Sequence, residues 1–144
     1  MQADVNVPFA IGALLSAVAA LLHLGIIAGG PAWYRFFGAG ERFARAAEQG
    51  RRFPTVVTAC IAAVLAAWSV YALAGAGLIG ALPLMKTALV GITAVYLVRA
   101  LAYAPLVLAK GGRITRFVVW SSLICFVYGL VHLLGLIQRW PALI

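Results

Sequence analysis

Apolar residues run along this chain in four long stretches, with short connections between them. A helix that crosses ~30 Å of hydrocarbon needs ~20 mainly apolar residues. The four stretches cover about residues 8–29, 54–73, 83–103 and 117–137. Three of them begin at Pro8, Pro54 and Pro83, and proline suits the first turn of a helix because its missing N–H would have no partner there. The pattern predicts four transmembrane helices.

Composition supports that interpretation. Hydrophobic residues make up 65% of the 144 residues, and charged residues make up 10%. A soluble domain is far less apolar and spreads its charges over its surface. We therefore expect an all-α integral membrane protein, a four-transmembrane-helix bundle that forms a single membrane domain over residues 1–144.

The placement of the cations predicts the orientation. Five arginines lie in the first connection and three cations in the third, whereas the second connection, residues 74–82, has none. Short cytoplasmic loops are enriched in Lys and Arg, so the first and third connections should face the cytoplasm. Both termini should then face away from the cytoplasm, which in a bacterial inner membrane means the periplasm. No Lys or Arg precedes the first apolar stretch, so it should be a retained helix and not a cleaved leader.

The first connection, residues 31–53, has the pattern of an amphipathic interfacial segment. The spacing puts most of a set of apolar residues on one helical face, while the arginines lie largely elsewhere; the set is Trp33, Phe36, Phe37, Phe43 and Ala47. Glu41 with Arg45 and Glu48 with Arg52 are each four residues apart, which favours ion pairs in a helix. This segment could anchor the chain on anionic lipids or bind a partner protein.

Small residues predict which helix faces pack together, because spanning helices associate through close contact and not through exclusion from water. The expected interior rows are Gly12, Ser16, Ala19 and Ala20 on the first helix, Ala59, Ala62, Ala63, Ala66 and Ala67 on the second, Thr87, Gly91 and Ala94 on the third, and Ser121, Ser122, Cys125 and Gly129 on the fourth. His23 and His132 end the first and fourth rows. Both histidines should therefore face the interior.

Two inward histidines suggest axial ligands for a haem, but their depths argue against one shared iron. At 1.5 Å per residue, His23 and His132 should lie ~15 Å apart along the membrane normal. A single iron or zinc cannot reach both. We expect neither a cofactor nor a metal site.

Two groups of polar residues remain as candidate sites. In the outer half, Lys86, His132 and Tyr71 lie at similar depth, and could bind an anion, pass on a proton or be purely structural. In the inner half, His23, Tyr96, Arg99 and Tyr103 share a depth. Glu41 could pair with Arg99 and hold the first connection onto the bundle; Arg99 could instead contact a substrate or simply extend to the interface.

Several functions lack the residues they need. The net charge is +8, but the cations lie beside the apolar stretches, so they do not indicate a nucleic-acid-binding protein. No predicted span contains a carboxylate, which removes paired-carboxylate hydrolysis and di-iron chemistry. No CxxC or GxSxG motif occurs.

The first half of the chain resembles a family of small uncharacterised bacterial four-helix inner-membrane proteins. A histidine late in the first helix is followed by the connection FFGAGERFARAAEQG and an Ala-rich second helix. This arrangement is similar to the DUF1304 family, whose first loop has a comparable FG, acidic residue and Gln-Gly order. The resemblance implies the architecture and carries no activity.

The sequence thus leaves three functions open. The first is a small structural or accessory inner-membrane protein that is oligomeric or bound to a partner through residues 31–53. The second is a membrane enzyme or carrier with a lipid, quinone or small amphipathic ligand between its helices. The third is an oligomeric channel.

Overall fold

The computed structural model describes residues 5–143, and this part of the chain contains helices and no strand. The helices are α1 (Val7–Phe36), α2 (Glu41–Glu48), α3 (Phe53–Ala76), α4 (Met85–Ala109) and α5 (Arg116–Arg139), followed by a 3-10 turn (Trp140–Ala142). Four of them, α1, α3, α4 and α5, are long and apolar enough to cross a membrane. The first four residues, on which the prediction of a retained N-terminal helix partly rests, lie outside the described range.

A kink divides α1 near its end. Gly30 has φ 63° and ψ −149°, a backbone conformation that residues other than glycine rarely adopt, and Pro31 follows it. The first stretch of α1 therefore ends close to the predicted residue 29. A further helical turn then carries Trp33, whose ring lies so close to Gly29 that a Cβ there would overlap it.

The described chain divides into two compact units. The first unit contains residues 5–15 and 68–143, which include the start of α1, the end of α3 and all of α4 and α5. The second unit contains residues 16–67, which include the rest of α1, α2 and most of α3.

Glycines let the helices of the first unit approach each other closely. A Cβ on Gly129 of α5 would lie 2.6 Å from Leu97 of α4, and a Cβ on Gly135 would lie 2.7 Å from the ring of Phe9. Gly75 of α3 also faces Phe9, at 3.0 Å. Phe9 is fully buried, so its ring, carried by α1, fills the space between α3 and α5.

The second unit has a small core beneath α2. Its buried residues are Ile26, Tyr34 and Ala44, and partly buried Phe37 and Phe43 pack against them. Tyr34 and Phe43 have ring centroids 6.2 Å apart. The apolar face of α2 therefore packs on the end of α1.

The predicted bounds need two corrections. Pro83 does not begin α4; the helix starts at Met85, because Leu84 before it has a left-handed backbone with φ 54°. The same helix continues past the predicted end at residue 103 and includes Pro105 before it ends at Ala109.

Two of the four predicted interior rows are wrong. On α4, Thr87, Gly91 and Ala94 are exposed; the buried residues are Met85, Leu89, Ile92, Thr93, Tyr96 and Ala100. On α3, Ala62 is buried while Ala59, Ala63, Ala66 and Ala67 are exposed. The rows on α1 and α5 are buried or half-buried as predicted. Small size alone therefore did not identify the packed face of the two middle helices.

Candidate functional site

His132 lies in the middle of the first unit and is fully buried. Its ring contacts Tyr96 of α4 at a centroid distance of 5.2 Å and Phe9 of α1 at 6.3 Å. Tyr96 also contacts Trp68 and Tyr128 edge-on, at 5.0 and 5.4 Å. We call these five residues, Phe9, Trp68, Tyr96, Tyr128 and His132, the aromatic cluster.

The aromatic cluster joins two residues that the sequence placed in opposite halves of the membrane. Tyr96 was grouped with the inner half and His132 with the outer half. Helical side chains lean toward the N-terminus of their own helix. Since α4 and α5 are consecutive helices that run in opposite directions, Tyr96 and His132 lean toward each other, and this closes the gap in depth between their Cα atoms.

The two ring nitrogens of His132 have different surroundings. Nδ1 lies 2.8 Å from the carbonyl oxygen of Tyr128, and because a carbonyl can only accept, Nδ1 carries the proton. Nε2 is buried and has no hydrogen-bond partner among the described residues. That pattern leaves an unprotonated nitrogen of the kind that binds metals or accepts protons.

Packing leaves no room for a ligand at this nitrogen. A Cβ on Gly12 would lie 3.1 Å from Nε2 and 2.8 Å from Cε1, so the backbone of α1 covers the nitrogen. Within residues 5–143, no three His, Cys, Asp or Glu side chains come together as metal ligands. His132 of α5 therefore packs between α1 and α4, with its ring against Phe9 and Tyr96.

A polar cluster of Asn6, Ala76, Gln138 and Arg139 joins three helix ends in the first unit. The Asn6 side-chain oxygen accepts from the Phe9 N–H at 3.0 Å, so Asn6 caps α1. Its amide donates to Gln138 Oε1 at 2.8 Å, and its backbone N–H donates to the Ala76 carbonyl at 3.0 Å. Arg139 donates to the same carbonyl at 3.4 Å. These bonds satisfy backbone groups that the helix ends leave without partners.

Lys86 and Tyr71 lie near this end, each with its own partner. The Lys86 Nζ lies 4.1 Å from the centroid of the Trp140 ring, a cation–π contact. The Tyr71 hydroxyl donates to the Pro83 carbonyl at 3.2 Å. In the described structure, no hydrogen bond, ion pair or ring contact joins either of them to His132.

Arg99 lies on α4 and makes two contacts. Its guanidinium stacks on the Tyr103 ring, with Cζ 3.6 Å from the ring centroid, and Nη2 donates to Ser121 Oγ of α5 at 3.4 Å. Nη1 of Arg99 and Oγ of Ser122 are both buried without hydrogen-bond partners in the described range. Both atoms are enclosed by protein, so neither offers a surface to a ligand.

His23 belongs to the second unit and is half-buried. Its Nδ1 lies 2.7 Å from the carbonyl oxygen of Ala19, one turn earlier. His132 makes the same type of hydrogen bond with the carbonyl oxygen of Tyr128, also one turn earlier. A histidine in an apolar helix can satisfy one nitrogen in this way without any other helix.

Ion pairs attach α2 to the end of α1. Arg35 binds Glu41 at 3.1 Å and Glu48 at 2.7 Å, and Arg45 binds Glu41 at 3.2 Å as its spacing predicts. We call Arg35, Glu41, Glu48 and Arg45 the α2 ion-pair cluster. The predicted Glu48–Arg52 pair does not form, because α2 ends at Glu48 and residue 52 lies outside the helix. Glu41 therefore forms ion pairs with Arg35 and Arg45, which belong to the same unit.

The α2 ion-pair cluster predicts an effect of pH. Hydrogen bonds from Arg35, and then from Arg45, hold the pKa of the Glu41 carboxyl below its ordinary value of 4.5. A lowered pKa in the folded state means that the attachment of α2 is stabilised above the ordinary pKa and weakens as pH falls through the lowered one. A spin label on Gln49→Cys should become more mobile only below about pH 4.5.

The same label tests the arginine at neutral pH. Arg35→Met removes the partner of both carboxylates, so the label on residue 49 should be mobile already at pH 7. Arg42→Met is the matched control, because Arg42 is exposed and lies outside the α2 ion-pair cluster. Equal mobility in the two variants would contradict a specific role for Arg35.

Two residues of these clusters carry a signal in the sequence. Asn6 stands just before the first apolar stretch, the usual position of an N-cap. Arg139 lies in the last turn of α5, where cations are favoured. Tyr34 and Phe9 carry no signal of their own, because each is one aromatic residue within a largely apolar sequence.

Comparisons with protein-family models, with curated proteins and with solved structures find no match. The resemblance of the first half to the DUF1304 family therefore stays a hypothesis.

Proposed function

We propose that this chain is a small accessory protein of a bacterial inner membrane, with both termini in the periplasm and α2 on the cytoplasmic surface. In this role α2 and the residues after it present cations to anionic lipid headgroups and to a partner protein or a second copy of the chain.

The surface of α2 is the observation that carries this proposal. Arg35 and Arg45 occupy both carboxylates of the second unit, Glu41 and Glu48. Arg42, Arg51 and Arg52 are exposed and lie outside those pairs. A groove of about 580 Å³ is lined by Arg42, Arg45 and Arg51 together with Phe53. Anionic headgroups are the groups in a membrane that match this surface, at about 1 kcal/mol per cation near the surface.

Exposed aromatic residues in the same unit support a position at the membrane interface. Phe36 is 82% exposed, and Phe53 and Trp33 are 52% and 44% exposed. Aromatic side chains left uncovered beside arginines are typical of segments that lie at headgroup level. The packing of His132 also favours an accessory role, because the Nε2 atom of this buried histidine is covered by protein.

Cysteine labelling tests the topology and the lipid contact together. In a background of Cys60→Ala and Cys125→Ala, single cysteines replace Gln49, beside α2, and Gly80, in the α3–α4 connection. Both residues are exposed. A membrane-impermeant thiol reagent should label residue 80 from the periplasm and residue 49 only after the inner face is opened. Labelling of both positions from one side would overturn the proposed topology.

The same position reports on the lipids. A spin label on residue 49 should move closer to the headgroups as the fraction of anionic lipid in the bilayer rises, and Arg42→Gln with Arg51→Gln should weaken that response. The label on residue 80 is the control and should not respond to those two substitutions. A depth at residue 49 that is independent of lipid charge would exclude the lipid contact.

A further inference from the structure

The helix α2 lies between two glycines that have positive φ angles. It spans the eight residues Glu41–Glu48, with Gly40 (φ 91°) before it and Gly50 (φ 68°) two residues after it. Nothing lies within 4 Å of a Cβ built on either glycine, so the backbone conformation and not the packing requires glycine. Glycine also adopts many other conformations at little cost. Both ends of α2 can therefore change direction without displacing a packed side chain.

The contacts that hold α2 in place are partly exposed. The ion-paired side chains of Arg35, Glu41 and Glu48 are 41%, 50% and 47% exposed, and ion pairs exposed to this extent contribute little to stability. Phe43 of α2 lies 5.3 Å from Phe53 of α3, measured between ring centroids, but Phe53 is 52% exposed. A helix of this length is not stable alone. It needs an apolar surface, and the surface it has holds it weakly.

Tyr34 makes the docked position of α2 on α1 costly. Tyr34 is 2% exposed, and its hydroxyl has no hydrogen-bond partner among the described residues. A buried hydroxyl without a partner disfavours the state that buries it by about fivefold or more. Ala44 of α2 lies in the same core, with Phe43 and Ala47 packed against it. We call Phe43, Ala44 and Ala47 the α2 apolar face; its release from α1 would return the Tyr34 hydroxyl to polar surroundings.

We infer that α2 is a hinged helix that leaves Tyr34 and places the α2 apolar face on the surface of an anionic bilayer. Arg42 and Arg45 are exposed and lie on the other side of the helix, which is the pattern of helices that lie in the membrane interface. The acyl region covers the apolar face as α1 does, and the phosphates attract the arginines. The inference rests on the proposed function, to which it adds that α2 exchanges α1 for lipid.

Distances between two spin labels in nanodiscs test this inference. In the background Cys60→Ala and Cys125→Ala, the labels are placed on Gln49→Cys and on Val18→Cys, two exposed positions of the second unit. Phosphatidylcholine should give one main distance. As phosphatidylglycerol replaces it, a second distance should grow at the expense of the first. Tyr34→Phe removes the buried hydroxyl and keeps the ring, so it should lower the ratio of the second population to the first about fivefold.

Tyr71→Phe is the matched control. Its hydroxyl belongs to the first unit and is bonded to the Pro83 carbonyl, so its loss should change the ratio by less than about twofold. A single distance at every lipid composition, or equal ratios in the two tyrosine variants, would overturn the hinged helix. If residue 49 approaches anionic headgroups while its distance to residue 18 stays single, the lipid contact of the proposed function holds and the release of α2 is wrong. If neither changes, both are wrong.

Discussion

Gly12→Val should destabilise the protein by about 2–3 kcal/mol, the upper part of the usual range for added bulk in a packed interior. Any Cβ at position 12 would lie 2.8 Å from Cε1 of His132 and 3.1 Å from its two nitrogens. The imidazole cannot easily turn away, because its other side packs on Tyr96 and its Nδ1 is bonded to Tyr128. Unfolding in mixed detergent micelles, followed by circular dichroism, measures the loss.

A matched glycine and a double variant make this result specific. Gly91 also lies in a helix, but nothing lies within 4 Å of its would-be Cβ. Gly91→Val should therefore cost less than about 1 kcal/mol, since valine is no worse than glycine in a helix. The double variant Gly12→Val with His132→Ala should be about 1–3 kcal/mol more stable than the sum of the two single effects predicts, because the smaller side chain relieves the overlap. Additive effects would show that residues 12 and 132 are not in contact.

How much of this structure the sequence could predict depends on which signal each feature leaves. The four long helices follow from the length of the apolar stretches, since only length and apolarity decide whether a helix can span hydrocarbon. The kink at Gly30–Pro31 and the break between α2 and α3 are likewise marked by residues with restricted or unusual backbone preferences. The predicted starts at residues 8, 54 and 117 each lie one residue after the start of the helix, whereas the predicted end at residue 103 falls well before Ala109.

The inward faces of the middle helices could not be predicted with the same rule. In a soluble protein the polar face of a helix identifies its exposed side. Both faces of α4 are apolar, so the pattern of polar and apolar residues does not indicate which face packs against other helices. Residue size was the remaining guide, and it selected Thr87, Gly91 and Ala94, which are exposed. The face that packs is chosen by shape, for example by Tyr96, whose ring meets three other members of the aromatic cluster.

The candidate polar sites depended on depth along straight helix axes. That calculation separated Tyr96 from His132 by half a membrane, whereas their ring centroids are 5.2 Å apart. The direction in which long side chains lean was the missing term. The pairing of Arg35 with Glu48 was not predicted either, because it joins two helices and the spacing of residues within one helix does not reveal it.

Phe9→Ala should destabilise the first unit by about 2–3 kcal/mol. Phe9 is fully buried and lies against Gly75 and Gly135, two positions that cannot collapse into the space it leaves without moving helices. In lipid the removed ring gains nothing from water exclusion, so the loss is mainly the cavity term. At about 24 cal/mol per Å³, a cavity on the order of 100 Å³ costs roughly 2.4 kcal/mol. The same unfolding measurement in mixed micelles applies.

Ile11→Ala separates packing from hydrophobicity. Ile11 is two residues away on the same helix and is 46% exposed, so its truncation removes apolar surface that faces lipid and should cost less than about 0.5 kcal/mol. Phe9→Leu should fall between the two, since it refills part of the space. If Phe9→Ala and Ile11→Ala destabilise the protein equally, the close approach of α1, α3 and α5 around this ring does not hold the first unit together. A large difference would show that glycine-lined contact stabilises these helices, as it must where lipid tails and side chains are equally apolar.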